Sequence, residues 1–115
     1  MFVKKILFLG LLLVFCLFFI SCANKPNQPP TIQKVSGPSG FVNSSTQTFE
    51  WTGNDPDGEI TGYEYLKNSG FWFETTSTEY TWTGVPEGPN EFKVKAKDNK
   101  GLYSEVITWT FDYVY

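Results

Sequence analysis

The sequence contains no histidine and no arginine, and all nine basic residues are lysines. Without histidine there is no Ser-His-Asp or Cys-His catalysis, and the commonest general base and transition-metal ligand are missing too. A hydrolase built on two carboxylates stays open. It needs a cleft, which a domain of this size rarely has. Without arginine forks, and with a formal net charge of -3, the chain is a poor partner for nucleic acid. There are two cysteines, Cys16 and Cys22. Cys16 lies inside a hydrophobic run near the start, so a disulfide framework is not expected downstream of it. No heptad, helical stripe or internal repeat is visible.

What the chain does have begins with Lys4-Lys5, followed by an apolar run from Ile6 to Ile20. That run is about 15 residues, near the upper limit for a signal-peptide core and short of the roughly 20 needed to span a bilayer as a helix. It ends at Phe19-Ile20-Ser21-Cys22. These residues resemble the bacterial lipobox, with Phe19 where leucine is usual. The resemblance implies cleavage before Cys22, a diacylglyceryl thioether on its sulfur and usually a third acyl chain on the new amino terminus. At about 0.8 kcal/mol per buried methylene, several chains hold firmly. Ala23, rather than aspartate, follows the cysteine, which favours the outer membrane if the bacterium is Gram-negative. The rival readings are an uncleaved membrane anchor and an ordinary secreted protein; all three export the domain. Loss of Lys4 and Lys5 would take the net charge from -3 to -5.

The expected organisation is residues 1–21 as signal peptide, 22–30 as lipidated cysteine and proline-rich tether, and 31–115 as one domain. Residues 23–30 are polar and rich in proline, as a flexible extended spacer is. Aromatic residues make up 18% of the chain, and a small disulfide-free domain needs most of them in its core. From Thr31 the pattern is short alternating segments between Gly, Pro, Asn and Asp. Strands are expected at Thr31–Val35, Gln47–Thr52, Glu59–Lys67, Phe71–Thr75, Glu79–Thr83, Glu91–Lys97 and Glu105–Tyr113, with a turn at Gly37–Gly40. The fold class is therefore all-β: an antiparallel two-sheet β-sandwich of about seven strands. Trp51, Tyr63, Tyr80, Phe92 and Val94 are the expected core.

Trp51, Ile60-Thr61-Gly62-Tyr63-Glu64-Tyr65, Tyr80-Thr81-Trp82-Thr83-Gly84-Val85 and Phe92-Lys93-Val94-Lys95-Ala96 together resemble a fibronectin type III domain. Val85-Pro86-Glu87-Gly88 followed by Phe92–Asp98 is also similar to bacterial Ig-like and three-tyrosine modules of envelope proteins. Asn90 stands where those families often carry Tyr or His, so the tyrosine-corner hydrogen bond is expected to be missing.

Three surface features invite a function. Asp55 and Asp57, in Asp55-Pro56-Asp57-Gly58-Glu59, could meet Asp98 and Asn99 at one end of the sandwich, an all-oxygen set suited to calcium. The plainer reading is turn chemistry, with no cofactor. Phe71-Trp72-Phe73 cannot all face inward, because neighbours in a strand point oppositely. An exposed ring there could stack on a sugar; alternatively Trp72 packs over its own sheet. Lys93, Lys95 and Lys97 make a basic stripe, read as a solvated face balanced by residues such as Glu64. The expected protein is non-catalytic and held to a bacterial envelope membrane through Cys22. It presents one interaction module to a protein or glycan partner. The alternatives are a carbohydrate-binding surface lipoprotein and a structural spacer or complex subunit. The tether should enter at the Asp55, Asp57 and Asp98 end, with the opposite end pointing away from the membrane.

Overall fold

The computed structural model describes residues 25–115. The signal segment and Cys22 lie outside these residues. Among the described residues there is no helix. The strands are β1 (Thr31–Ser36), β2 (Gly40–Val42), β3 (Gln47–Asn54), β4 (Ile60–Lys67), β5 (Phe73–Thr75), β6 (Glu79–Trp82), β7 (Gly88–Asp98) and β8 (Ile107–Tyr113). They form two sheets, β1-β3-β6 and β2-β8-β7-β4-β5. All pairings are antiparallel except β2 with β8, which is parallel.

The two-sheet all-β sandwich is the expected architecture; β2 adds an eighth strand to the seven expected, and its pairing with β8 is parallel where antiparallel pairing was expected. Gly37–Gly40 does not reverse the chain; it carries it from the first sheet to the second. Gly37 makes this crossing by lying on the Trp109 indole, where a Cβ would come within 2.3 Å of Nε1. Gly40, at φ 63°, adopts the left-handed conformation that glycine tolerates. The chain then runs on beside β8 as Gly40–Val42, three residues with too little alternation to reveal a strand.

The core forms where the alternation of β3, β4, β7 and β8 points both sheets inward. Phe49, Trp51, Tyr63, Trp82, Phe92, Val94, Ala96, Trp109 and Phe111 are all buried. Phe92 lies at their centre, stacked 4.0 Å from Phe49 and 5.5 Å from Tyr80 between ring centroids. Each such ring contributes on the order of 1.5–3 kcal/mol by leaving water. Four of the five expected core residues are buried. Tyr80 is half-buried, because β6 is an edge strand and its ring closes the open side of the sandwich.

The corner before β7 is built on an asparagine where a fibronectin-type corner uses tyrosine. Asn90 is 3% exposed, and its amide nitrogen donates to the carbonyls of Pro86 and Gly88, both at 2.8 Å. Its Oδ1 accepts from Asn68 Nδ2 at 3.0 Å. Asn68, at φ 56°, in turn accepts the Glu91 N–H on Oδ1 at 2.8 Å. One asparagine thus ties the Pro86–Gly88 turn to the β4 end. Asn90→Ala orphans these buried groups and should cost about 1–3 kcal/mol, measurable by urea unfolding. A loss no larger than that of a surface substitution would contradict the corner.

Candidate functional site

The acidic end is assembled by β1 entering beside the β3–β4 and β7–β8 turns. The register is Thr31 opposite Asn54 and Ile60 opposite Asp98. Asp98 is buried at 1% exposure. Its Oδ1 accepts the Lys100 and Leu102 N–H groups at 2.9 and 2.8 Å, and its Oδ2 accepts Asn27 Nδ2 at 2.7 Å. Asp57 Oδ2 accepts the Gln28 N–H at 2.8 Å. Asn99 Oδ1 accepts the Glu59 N–H at 3.3 Å. A Cβ on Gly58 would lie 2.8 Å from Asn99 Oδ1 and 3.3 Å from Asp55 Oδ2, so both oxygens close over that glycine. Asp55, Asp57, Asp98 and Asn99 therefore share one end of the domain.

The addition is Asn27, which the sequence reading left in the flexible tether. With Gln28 hydrogen-bonded and Pro30 buried, the last part of the spacer is fixed to the domain. Nothing in that polar, proline-rich run sets Asn27 apart from Asn24, Lys25 or Gln28.

Asn27 Oδ1 and Asp55 Oδ2 are buried and accept no hydrogen bond. Among the described residues, no three His, Cys, Asp or Glu side chains are grouped so as to hold a metal ion. Any cation would depend on the carboxamides as well as the carboxylates. Desolvation, and then the neighbouring Asp57 and Asp98, push Asp55 above the ordinary carboxylate value of 3.8. For Asp98, desolvation also acts upward. Bonds from Asn27, Leu102, Lys100 and Gly101 outweigh it and hold the carboxyl below 3.8.

The two shifts act on stability with opposite signs. Asp98 stabilises the fold above pH 3.8, and that contribution is lost as pH falls through its lowered value. Asp55, whose charged form is disfavoured in the fold, costs stability at neutral pH and is relieved as pH falls through its raised value. Asp55→Asn should therefore raise the melting temperature in calcium-free buffer at pH 7. The gain should shrink as the buffer is acidified toward pH 4. A variant less stable than wild type at pH 7 would contradict this assignment.

The second candidate region is the β5 edge, and here the three adjacent rings divide. Trp72 is half-buried on the outer face of the larger sheet, with the Lys95 ammonium 4.3 Å from its ring centroid. The same ammonium lies 4.4 Å from the Tyr103 ring. The nearby Glu64 carboxylate, followed by desolvation, pushes the Tyr103 phenol above its ordinary pKa. The lysine stripe is thus covered by aromatic faces and by its own carboxylates, with Lys93 3.6 Å from Glu91. Phe73 takes the opposite face and stacks on Tyr65 at 5.7 Å. Tyr65 packs on Tyr80 at 4.4 Å, the rings tilted by 30°. Phe73 remains 51% exposed and Phe71 81% exposed. The rings free for a partner are therefore Phe71 and Phe73, while Trp72 is largely covered, as in the plainer reading. Between β4 and β5 lies an open depression of about 310 Å³, lined by Thr61, Glu64, Glu74, Thr76 and Lys97 among others.

Several solved structures share this architecture. Fibronectin(III)-like modules of Clostridium thermocellum CbhA align at TM-score 0.66 and 22% identity, over 77% of this chain and 48% of that one. The PKD1 domain of the Vibrio cholerae metalloprotease PrtV aligns at 0.60 and 18%, over 76% of this chain and 100% of that domain. A carbohydrate-binding module structure of the β-sandwich superfamily aligns at 0.63 and 23%, over 78% of this chain and 37% of that one. The fold is a fibronectin type III-like β-sandwich. No protein-family model matches the chain, and no curated protein matches it by sequence. This chain spans about half the length of the CbhA structure, and the shared feature is the fold.

Proposed function

We propose that this fibronectin-like domain is a non-catalytic interaction module, carried on a lipid anchor at Cys22 in a bacterial cell envelope. The observation that carries the reading is the asymmetry of the domain. Asn27 and Gln28 fix the N-terminal segment to the acidic end. Phe41, Val114 and Tyr115 are exposed at the opposite end, where β2 and β8 finish, and Phe71 follows the Asn68–Gly70 turn there. Exposed aromatics at the end remote from an anchor are placed to meet a partner. Phe19-Ile20-Ser21-Cys22 supports the anchor and Ala23 the outer membrane. Labelled palmitate should enter the wild-type protein in growing cells and should not enter Cys22→Ala. An unlabelled wild type would contradict the lipid anchor and favour an uncleaved one.

A second reading rests on the orphaned oxygens of Asn27 and Asp55. Together with Asp57, Asp98 and Asn99 they offer the hard oxygen donors that calcium takes. A cation bound there would join the tether to both acidic turns and relieve the cost of charging Asp55. Millimolar calcium should raise the melting temperature of wild type, and do so less for Asp55→Asn. Equal shifts in both proteins would argue against the site.

A further inference from the structure

We infer that the β5 edge is a binding site for a saccharide chain bearing carboxylate groups, with Phe71 and Phe73 as its platform and Lys67 as its counter-charge. The inference rests on the interaction-module reading and names the ligand class for it.

The platform comes first. Phe73 is backed by Tyr65, and Tyr65 by Tyr80 and Phe92, with centroid separations of 5.7, 4.4 and 5.8 Å. The exposed ring is therefore held from behind by a continuous aromatic stack rooted in the core. Such a ring is pre-organised, so little side-chain entropy is lost when a flat ligand settles on it. Phe71, 81% exposed, lies two residues before Phe73 on the side of the Asn68–Gly70 turn. The C–H faces of a pyranose ring match flat aromatic surface of this kind in shape and polarity. A peptide adding as a strand would find little edge to pair with, because β5 has only three residues and β6 four.

The polar complement is beside it. The Tyr65 and Tyr80 side chains lie close enough for their hydroxyls to interact, and Lys67 is close enough to act on Tyr65. The Lys67 ammonium sits 5.5 Å from the Tyr80 ring centroid and 5.9 Å from that of Trp82. Among the described residues the one ion pair is Lys93–Glu91, so no carboxylate lies within 4.0 Å of the Lys67 ammonium. Two hydroxyls donate to sugar oxygens, and a cation without a carboxylate partner selects an anionic substituent. The acidic turns lie at the other end of the domain, and the nearer carboxylates Glu74 and Glu79 alternate with Phe73 and Tyr80, so they project from the opposite faces of their strands.

Affinity electrophoresis of the full chain in detergent, through gels containing polygalacturonate or a neutral β-glucan, tests the inference. Wild type should be retarded by polygalacturonate, less so as salt is raised, and not by the neutral polymer. Phe71→Ala, at a residue 81% exposed, should weaken retention about two- to tenfold, the range a lost aromatic stack gives. Lys67→Gln should weaken it and remove most of the salt dependence. Trp72→Ala should leave it unchanged. No retention of a folded wild type, equal retention by both polymers, or loss only with Trp72→Ala would overturn the inference. The module reading would still stand if cells yielded a crosslinked protein partner through the same edge.

Discussion

Replacing Trp51 with alanine is expected to destabilise the domain by about 3–5 kcal/mol, the usual cost of emptying a large aromatic site in a core. Trp51 is 2% exposed and contacts Tyr63, Phe92 and Trp109 at centroid distances of 5.9, 6.2 and 6.4 Å. The rings around it belong to the facing sheet, so the cavity cannot close without shifting both layers. Its indole N–H is buried without an acceptor. Trp51→Phe deletes that orphaned donor while keeping an aromatic ring, and should cost much less than alanine. Urea unfolding with unchanged slope and a lowered midpoint is the expected signature. A native-like Trp51→Ala domain would place the ring on the surface and break the β3 register.

Phe92→Ala should be comparably severe, again about 3–5 kcal/mol. Phe92 is fully buried and stacks on Phe49 and Tyr80. It also backs Tyr65, which carries Phe73. The substitution should therefore loosen the β5 edge as well as lower global stability. Phe41→Ala, at a residue 81% exposed, is the control and should stay within about 0.5 kcal/mol of wild type. Similar losses for both variants would contradict the inside-outside assignment of β7.

Most of the sandwich was legible in the sequence because β7 alternates Phe92, Val94 and Ala96 with Lys93, Lys95 and Lys97. That pattern fixes which face is inside, and the turn residues fix where strands stop. β2 was not legible: three residues carry no period, and its parallel partner β8 is distant in sequence. The gathering of Asp55, Asp57, Asp98 and Asn99 followed from topology alone. Asn27 did not, because a polar residue among prolines looks the same whether it is solvated or docked. The division of Phe71, Trp72 and Phe73 followed from strand geometry. The covering of Trp72 by Lys95 depends on how β4, β5 and β7 pair across the sheet, which local sequence does not encode. At Asn90 the missing tyrosine was legible but its replacement was not, since an amide can satisfy turn carbonyls that a tyrosine hydroxyl would otherwise address.

The central proposal is that partners meet the aromatic edge and distal end, while the acidic end faces the membrane to which Cys22 would anchor the chain. A photoreactive amino acid placed at Phe71 in one strain and at Asp57 in another tests it in whole cells. The account predicts partner adducts from position 71, with position 57 giving none beyond contacts at the membrane surface. Partner adducts from position 57 alone would contradict it and move the interaction to the acidic turns.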